Sequence, residues 1–417
     1  MLKFIHAADI HLDSPLRGLE RYEGAPIEAI RQASRRAMEN LVALAKVERV
    51  AFVIIAGDLF DGDWKDYNTG LYFVRQMAIL HEAGIAVYLL KGNHDAANKL
   101  TKSLPLPPNV HVFSHRSAES FSIDEYGVAL HGQSFATGDV RDDLSANYPA
   151  AVPGKFNIGV LHTCASGRDG HDAYAPCKLD GLISKGYNYW ALGHIHKREV
   201  LHSNPLIIFP GNIQGRHIRE TGPKGCSLVT VDDRHNVSEE FCELSVMRWE
   251  ALNVDLIDAR TEDDVYAQIN TGLSKLISDC EGMPLAIRVH LQGETAMDTQ
   301  LRSHRQHWIE SIRALGMQAA SDSVWIEKVK VETSAPGAQS SDHFDGPLAE
   351  LVNLIGLSKD DTEAIALLQD ELADLRTRLP AELPELRLLN NSEWIKSSLT
   401  DVQQILLERL IKPGVAK

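Results

Sequence analysis

The chain has 417 residues, 44% of them hydrophobic, and a formal net charge of −15. Apolar content of this order builds a buried core; no run of about 18 apolar residues offers a membrane span, and the acidic balance excludes a chain-wide basic field for nucleic acid. The five cysteines, Cys164, Cys177, Cys226, Cys242 and Cys280, form no C-x-x-C pair, and the N-terminus lacks the basic start and apolar run of a signal peptide. Reduced thiols and a cytoplasmic setting are therefore expected.

Length predicts two to three domains. Up to residue 245, short apolar runs alternate with helical stretches. The runs at 2–8, 50–56, 85–90, 156–161 and 189–192 read as buried strands, and 28–47 and 66–83 as helices. Residues 110–134 read as hairpins, with Asp124-Glu125-Tyr126-Gly127 as a turn. A mixed α/β sandwich is predicted over 1–245. A small α/β module follows over 246–333, with strands at 249–256, 285–291 and 324–331 and helices at 261–278 and 304–315. Small residues from Ser334 to Ser341 mark a linker, 334–342. The tail, 343–417, carries apolar residues at helical spacing: Leu348, Leu351, Val352 and Ile355; Leu368, Leu372 and Leu375; Val402, Ile405, Leu406 and Leu410. Such helices either pack on their own body or dock a partner.

Five short motifs close these runs in order: Asp9-Ile10-His11, Gly57-Asp58, Gly92-Asn93-His94-Asp95, His162 and Gly193-His194-Ile195-His196. In open α/β sheets, ligands gather beyond the carboxyl ends of strands, so neighbouring strands would bring all five to one site. Carboxylate, amide oxygen and imidazole donors suit Mn, Fe or Zn. Asp-x-His and His-x-His on a strand place both side chains on one face. Asp58 is the natural bridging carboxylate. Two ions about 3.5–4 Å apart can activate water and hold both oxygens of a phosphoryl displacement. Taken singly, each motif reads as a turn or a core histidine; the ordered set is far more specific than any one of them.

The order D-x-H, GD, GNHD, H, GHxH resembles that of the calcineurin-like metallophosphoesterases. Within them, Phe4-Ile5-His6-Ala7-Ala8-Asp9-Ile10-His11-Leu12, Gly57-Asp58-Leu59-Phe60-Asp61, Pro210-Gly211-Asn212 and Lys224-Gly225 resemble the SbcD-like nucleases of DNA double-strand-break repair, and the bacterial YhaO branch most of all. The resemblance implies a β-sandwich flanked by helices, a small α/β capping domain and a helical C-terminal tail. It implies one metal on Asp9, His11, Asp58 and His196 and a second on Asp58, Asn93, His162 and His194. His94 would face the scissile phosphate and protonate the leaving oxygen, a role suited to imidazole. Asp61 stands where the archaeal and eukaryotic nucleases carry histidine; it would orient His94 or serve a plain turn. Implied too are two divalent ions, manganese first, a DNA substrate, pairing of two subunits through the 66–83 helix, and a coiled-coil ATPase partner on the tail.

Around the motifs, Arg17, Arg198 and Arg216 are candidate phosphate contacts, since arginine grips phosphate in bidentate fashion. His6 and His131 read as structural, and Asp95 as a helix cap or a hydrogen-bond acceptor behind the ligands. Two rival functional readings fit the same residues. One is a phosphatase or cyclic-nucleotide phosphodiesterase, and the other a partner-binding scaffold with a structural metal site.

Overall fold

The first apolar run becomes β1 (Leu2–Ala7), in which only Lys3 is less than fully buried. It leads into α1 (Ile27–Val47), β2 (Phe52–Ala56), α2 (Tyr67–Glu82), β3 (Ala86–Leu90), α3 (Asn93–Ala97) and β4 (Val110–Val112). Next come β5 (Glu119–Ile123), β6 (Val128–Gly132), β7 (Phe156–His162), α4 (Leu179–Ser184), β8 (Tyr189–Gly193), β9 (Glu199–Ser203), β10 (Leu206–Phe209), β11 (Gly225–Val231) and β12 (Val237–Glu243). The computed structural model describes residues 1–14, 26–61, 67–97, 104–165, 174–320, 323–336 and 347–378, with short pieces between 391 and 406.

Two six-stranded mixed sheets result, ordered β12-β11-β1-β2-β3-β4 and β5-β6-β7-β8-β10-β9. β1, β2 and β3 run parallel as neighbours, as do β6, β7 and β8. Alternation sorts β1 between two cores. Ile5 and Ala7 pack with Ala37, Met38 and Leu41 of α1 and with Phe73, Met77 and Leu80 of α2. Phe4 faces the second sheet, stacked on Phe52 at 5.0 Å and edge-on to Tyr189 at 5.3 Å. Both faces are covered, which is why these strands read as continuous apolar runs. Trp190, Leu192 and Phe209 cover the outer face of the second sheet with Leu182 of α4. The mixed α/β sandwich expected from the sequence is thus present.

The chain then builds β13 (Arg248–Asp255), α5 (Glu262–Asp279), β14 (Leu285–Glu294), α6 (Asp298–Ser303), α7 (Arg305–Ala320) and β15 (Val324–Ser334), a three-stranded sheet with its own core of Leu252, Ile269, Ile287 and Trp308. Thr261 and Asp264 form a capping box that starts α5. Trp249, Ala286 and Trp325 pack with Ile30 and Ala33 of α1, fastening this module to the sandwich. Contacts divide the chain into Met1–Thr333 and Ser334–Lys417. The second unit contains α8 (Pro347–Asp360) and α9 (Thr362–Arg378). There Ile365 is buried, whereas Leu354, Leu357 and Leu367 stay 62%, 63% and 67% exposed. Of the apolar positions read from the tail, Ile405 and Leu410 lie outside the described residues, as do the side chains of Leu348, Val352 and Leu375.

Two local expectations are corrected, and one stretch was not read. Residues 110–134 are not all hairpin: β4 pairs parallel with β3, and only β5–β6 is a hairpin. The cause is Asn109, whose side-chain amide donates to Met77 O and Ile85 O and whose carbonyl accepts from Val87 N, fastening this run to the first sheet. The helix read at 304–315 runs to Ala320 and follows a separate short helix, broken at His304. Strands β9 to β12 went unread: β9 and β12 have a half-buried, polar-interleaved pattern, while β10 is a run of only four residues and β11 is buried but interrupted by Ser227 and Thr230.

His6 is a core residue, as read. Its Nδ1 lies 2.9 Å from Tyr189 Oη and its Nε2 lies 3.1 Å from Leu192 O, so Nε2–H donates across to the second sheet. Burial pushes the imidazole from 6.5 down to about 3 despite that carbonyl. The folded state therefore binds a proton less readily than the unfolded chain between those values, and stability present above pH 6.5 is lost as pH falls toward 3. Over the first 1.5 units of that fall the loss is about 2 kcal/mol. His6→Gln should remove that share of the pH dependence, seen as a flatter difference between denaturant unfolding curves at pH 7 and pH 5.

Candidate metal centre

The motif residues stand where strands end and the backbone turns sharply. Asp9, His11 and Asp58 have φ of 51°, 44° and 52°, and His194 has 104°. Non-glycine residues adopt such values at a cost and persist there when surroundings fix them. Here the loops after β1 and β2 are laced together: Asp9 N donates to Gly57 O (3.0 Å), His11 N to Asp58 O (3.0 Å) and Leu12 N to Leu59 O (2.9 Å). The buried Asp95 carboxylate accepts from Leu59 N, Phe60 N and Gly92 N at 3.1, 2.9 and 3.0 Å, tying the β2 loop to the β3 loop. Two glycines are required by space. A Cβ on Gly57 would strike the His162 ring, and one on Gly92 would strike the Asp58 carboxylate.

The tertiary fold brings two groups together: Asp9, His11 and His196, and Asp58, His162 and His194, with donor atoms in each group within 4.8 Å of one another. Asp58 links them. Its Oδ2 lies 3.3 Å from His162 Nε2 and 3.8 Å from His11 Nε2. Asn93 Oδ1 lies 3.0 Å from His162 Nε2. Three imidazoles present the same nitrogen to the centre because the other is taken. Nδ1–H of His11 donates to Asp61 Oδ1 (2.6 Å), that of His196 to Glu220 Oε1 (2.6 Å), and that of His162 to Ala56 O (3.0 Å). With those tautomers, His11 Nε2 and His196 Nε2 face each other as lone pairs at 3.2 Å. Around His162 Nε2, two oxygen acceptors crowd a third lone pair. Only cations or protons satisfy such an arrangement, so the residues fit a divalent metal pair.

Charge points the same way. Burial alone would raise the Asp58 carboxyl, but His162, His11 and His94 outweigh it and hold the group below the usual carboxylate range. Burial opposes charge on His162 as well, yet Asp58 and Asp9 raise it to about 9. Burial holds Asp9 up at about 6 against His196 and His162. Without metal, the cluster keeps a proton where a cation would sit; divalent ions can take that place, because ligand nitrogens must be deprotonated.

Residues 2–198 match the calcineurin-like phosphoesterase family, and residues 249–334 match the middle domain of metallophosphoesterase YhaO. The chain is 35% identical over 364 residues to the uncharacterized metallophosphoesterase YhaO of Bacillus subtilis, covering 86% of this chain and 88% of that one. The chain belongs to the calcineurin-like metallophosphoesterases, in their YhaO group. More distantly, it is 24% identical to the DNA double-strand break repair protein Mre11 of Methanopyrus kandleri, over 65% of this chain and 63% of that one. The Mre11 of Aeropyrum pernix is likewise 24% identical, over 67% and 69%.

In this metallophosphoesterase, all seven candidate ligands lie at one centre at the carboxyl ends of parallel strands. His94 stands at its rim: its ring is 5.0 Å from that of His11 and its side chain is 44% exposed. Its Nδ1 is 3.6 Å from Asp61 Oδ1, so the first partner of Asp61 is His11 rather than His94. His11, Asp61 and His94 also fall close enough to form a group, but Asp61 there serves as hydrogen-bond acceptor to a ligand, with Ser14 as a further donor. Arg216 joins the same shell, 3.6 Å from Asp61 and 3.3 Å from Glu220. Arg198 is turned to Glu239 at 2.6 Å and lies over Phe241. Arg17 lies outside the described residues.

Sequence reading missed Glu220. It accepts from His196, from Asn212 Nδ2 (3.0 Å) and from Arg216 N (2.8 Å). Nothing in its sequence neighbourhood marks it; only the fold brings it behind His196. Partners of ligating histidines typically contribute 10–100-fold in metal affinity. Glu220→Gln should weaken divalent-metal binding by about 10–100-fold in calorimetric titration, whereas Asp58→Asn should abolish stable binding of a metal pair, read as metal content after desalting.

Proposed function

We propose that this metallophosphoesterase is a manganese-dependent DNA nuclease, an exonuclease acting in DNA repair in the cytoplasm. The observation that carries the reading is the double cluster joined by Asp58, with His94 at its open rim. Similarity to Mre11 proteins over two thirds of the chain supports DNA as the phosphodiester.

Asp9, His11, Asp58 and His196 would hold one ion, and Asp58, Asn93, His162 and His194 the other. The pair, when bound, supplies Lewis acidity for water attack and for the charge on phosphorus-bound oxygens. The protein's own groups do the rest. Glu220, Asp61 and Ala56 O fix the ligand tautomers, so no reorganisation is needed as charge develops. His94, half in solvent, donates a proton to the leaving sugar oxygen. Arg216, poised at Asp61 and Glu220, steadies a neighbouring phosphate.

Two partners belong to the same proposal. Tyr67 and Leu71 are exposed on α2, while Phe73, Met77 and Leu80 face the core; the outer stripe would pair two subunits. Exposed Leu354, Leu357 and Leu367 would dock a coiled-coil ATPase subunit of the SbcC or YhaN kind.

Purified protein with Mn should release nucleotides from linear DNA, and turn it over in preference to cyclic nucleotides or a phosphomonoester. His94→Gln should retain both ions and lower kcat by at least about a hundredfold. Turnover of small phosphoesters with DNA untouched, with or without the ATPase, would overturn the DNA assignment while leaving the metal chemistry in place.

A further inference from the structure

Cys226 and Cys242 are partners directly across the antiparallel pair β11–β12. The phase of the ladder is set at both ends: Leu244 N donates to Lys224 O at 2.9 Å, and Asp232 N to Asn236 O at 3.1 Å. Hydrogen-bonded and non-hydrogen-bonded pairs alternate along such a ladder. Counting inward from either end puts Cys226 and Cys242 in a hydrogen-bonded pair, whose Cα atoms lie about 5.5 Å apart. Disulfides span Cα separations of about 4.4–6.8 Å but also need Cβ atoms about 3.5–4.5 Å apart, whereas directly opposed strand residues hold theirs about 4.5–5.5 Å apart. Closing this bond draws the two strands together locally, and a bond made under such strain is readily reduced. Directly opposed residues also share a face. Both thiols belong to the cluster beneath α1, with Ala45, Leu228 and Leu244. Cys226 is buried; Cys242 is partly exposed and offers the point of attack.

We propose that Cys226 and Cys242 form a redox site, a dithiol that a small disulfide of the glutathione type oxidises to a cross-strand bond. The minor thiolate form of Cys242, kept scarce by burial and by Glu240, attacks one sulfur of the disulfide, and the displaced thiolate leaves and takes up a proton. The Cys226 thiolate then attacks the Cys242 sulfur of the mixed disulfide and expels the second small thiol. One small disulfide is reduced to two thiols, and the two protein thiols together give up two protons and two electrons.

The position gives the bond a consequence. β12 is an outermost strand of its sheet, laid on β11, and edge strands open most easily. A covalent rung would hold β12 closed. It would also stiffen β11 two residues from Lys224, whose Nζ donates to His196 O at 3.1 Å. The site is independent of the substrate that the metal centre takes.

The folded full chain should be equilibrated with mixtures of reduced and oxidised glutathione, then mapped by mass spectrometry without reduction. The expected result is loss of two hydrogens, a crosslinked Cys226–Cys242 peptide, reversal by dithiothreitol, and slower amide exchange across β12 in the oxidised protein. Cys242→Ser should lose the crosslink and Cys280→Ser should keep it. A crosslink mapped to Cys164–Cys177 alone would overturn the proposal. So would a mixed disulfide on Cys242 that never resolves, or thiols that stay reduced in the folded wild type under conditions that oxidise the unfolded chain.

Discussion

One buried carboxylate organises the centre. Asp58 sits between two imidazole groups that belong to different sheets: His11 follows β1 of the first, and His162 ends β7 of the second. A carboxylate in this setting is costly unless positive charge lies against it. The same placement that makes Asp58 costly alone would suit it to bridge two cations. Most other features near the centre serve to hold that oxygen and the facing nitrogens where they are.

The fold meets this demand largely by lacing together the loops that follow its strands. Backbone bonds join the β1 and β2 loops, Asp95 joins the β2 and β3 loops, and His162 Nδ1 reaches Ala56 O across the sandwich. His6 adds a link between the sheets deeper in the core. Four ligands adopt left-handed or mirror-region backbone, which sets the angle at which they leave their strands. Strain of this sort survives because the sheets behind it are rigid and covered on both faces.

Around the ligands lies a ring of acceptors, Asp61, Glu220 and the Ala56 carbonyl, each engaging the imidazole nitrogen that does not face the centre. Arg216 spans two of these acceptors. The ring is asymmetric: Asp61 and Glu220 both serve the group containing Asp9, whereas His162 leans on a backbone carbonyl. An ion held beside Asp9 would thus have the more acidic surroundings.

The sequence by itself determined which chemistry this protein can perform. Asp9, His11, Asp58, Asn93, His162, His194 and His196 were legible because each closes an apolar run, and strand ends are where an α/β sheet gathers its ligands. The sandwich was legible for the same reason, since strands covered on both faces leave continuous apolar runs. Tertiary structure alone decided the support. Glu220 stands behind His196 from a loop 24 positions away, and Asp61 turned out to hold His11 first. Arg198 and Arg216, alike in sequence, part company once Glu239 claims one and the centre claims the other. Periodicity reports which face of an element is apolar, but not which loop lies behind a ligand; that pairing exists only when distant segments meet.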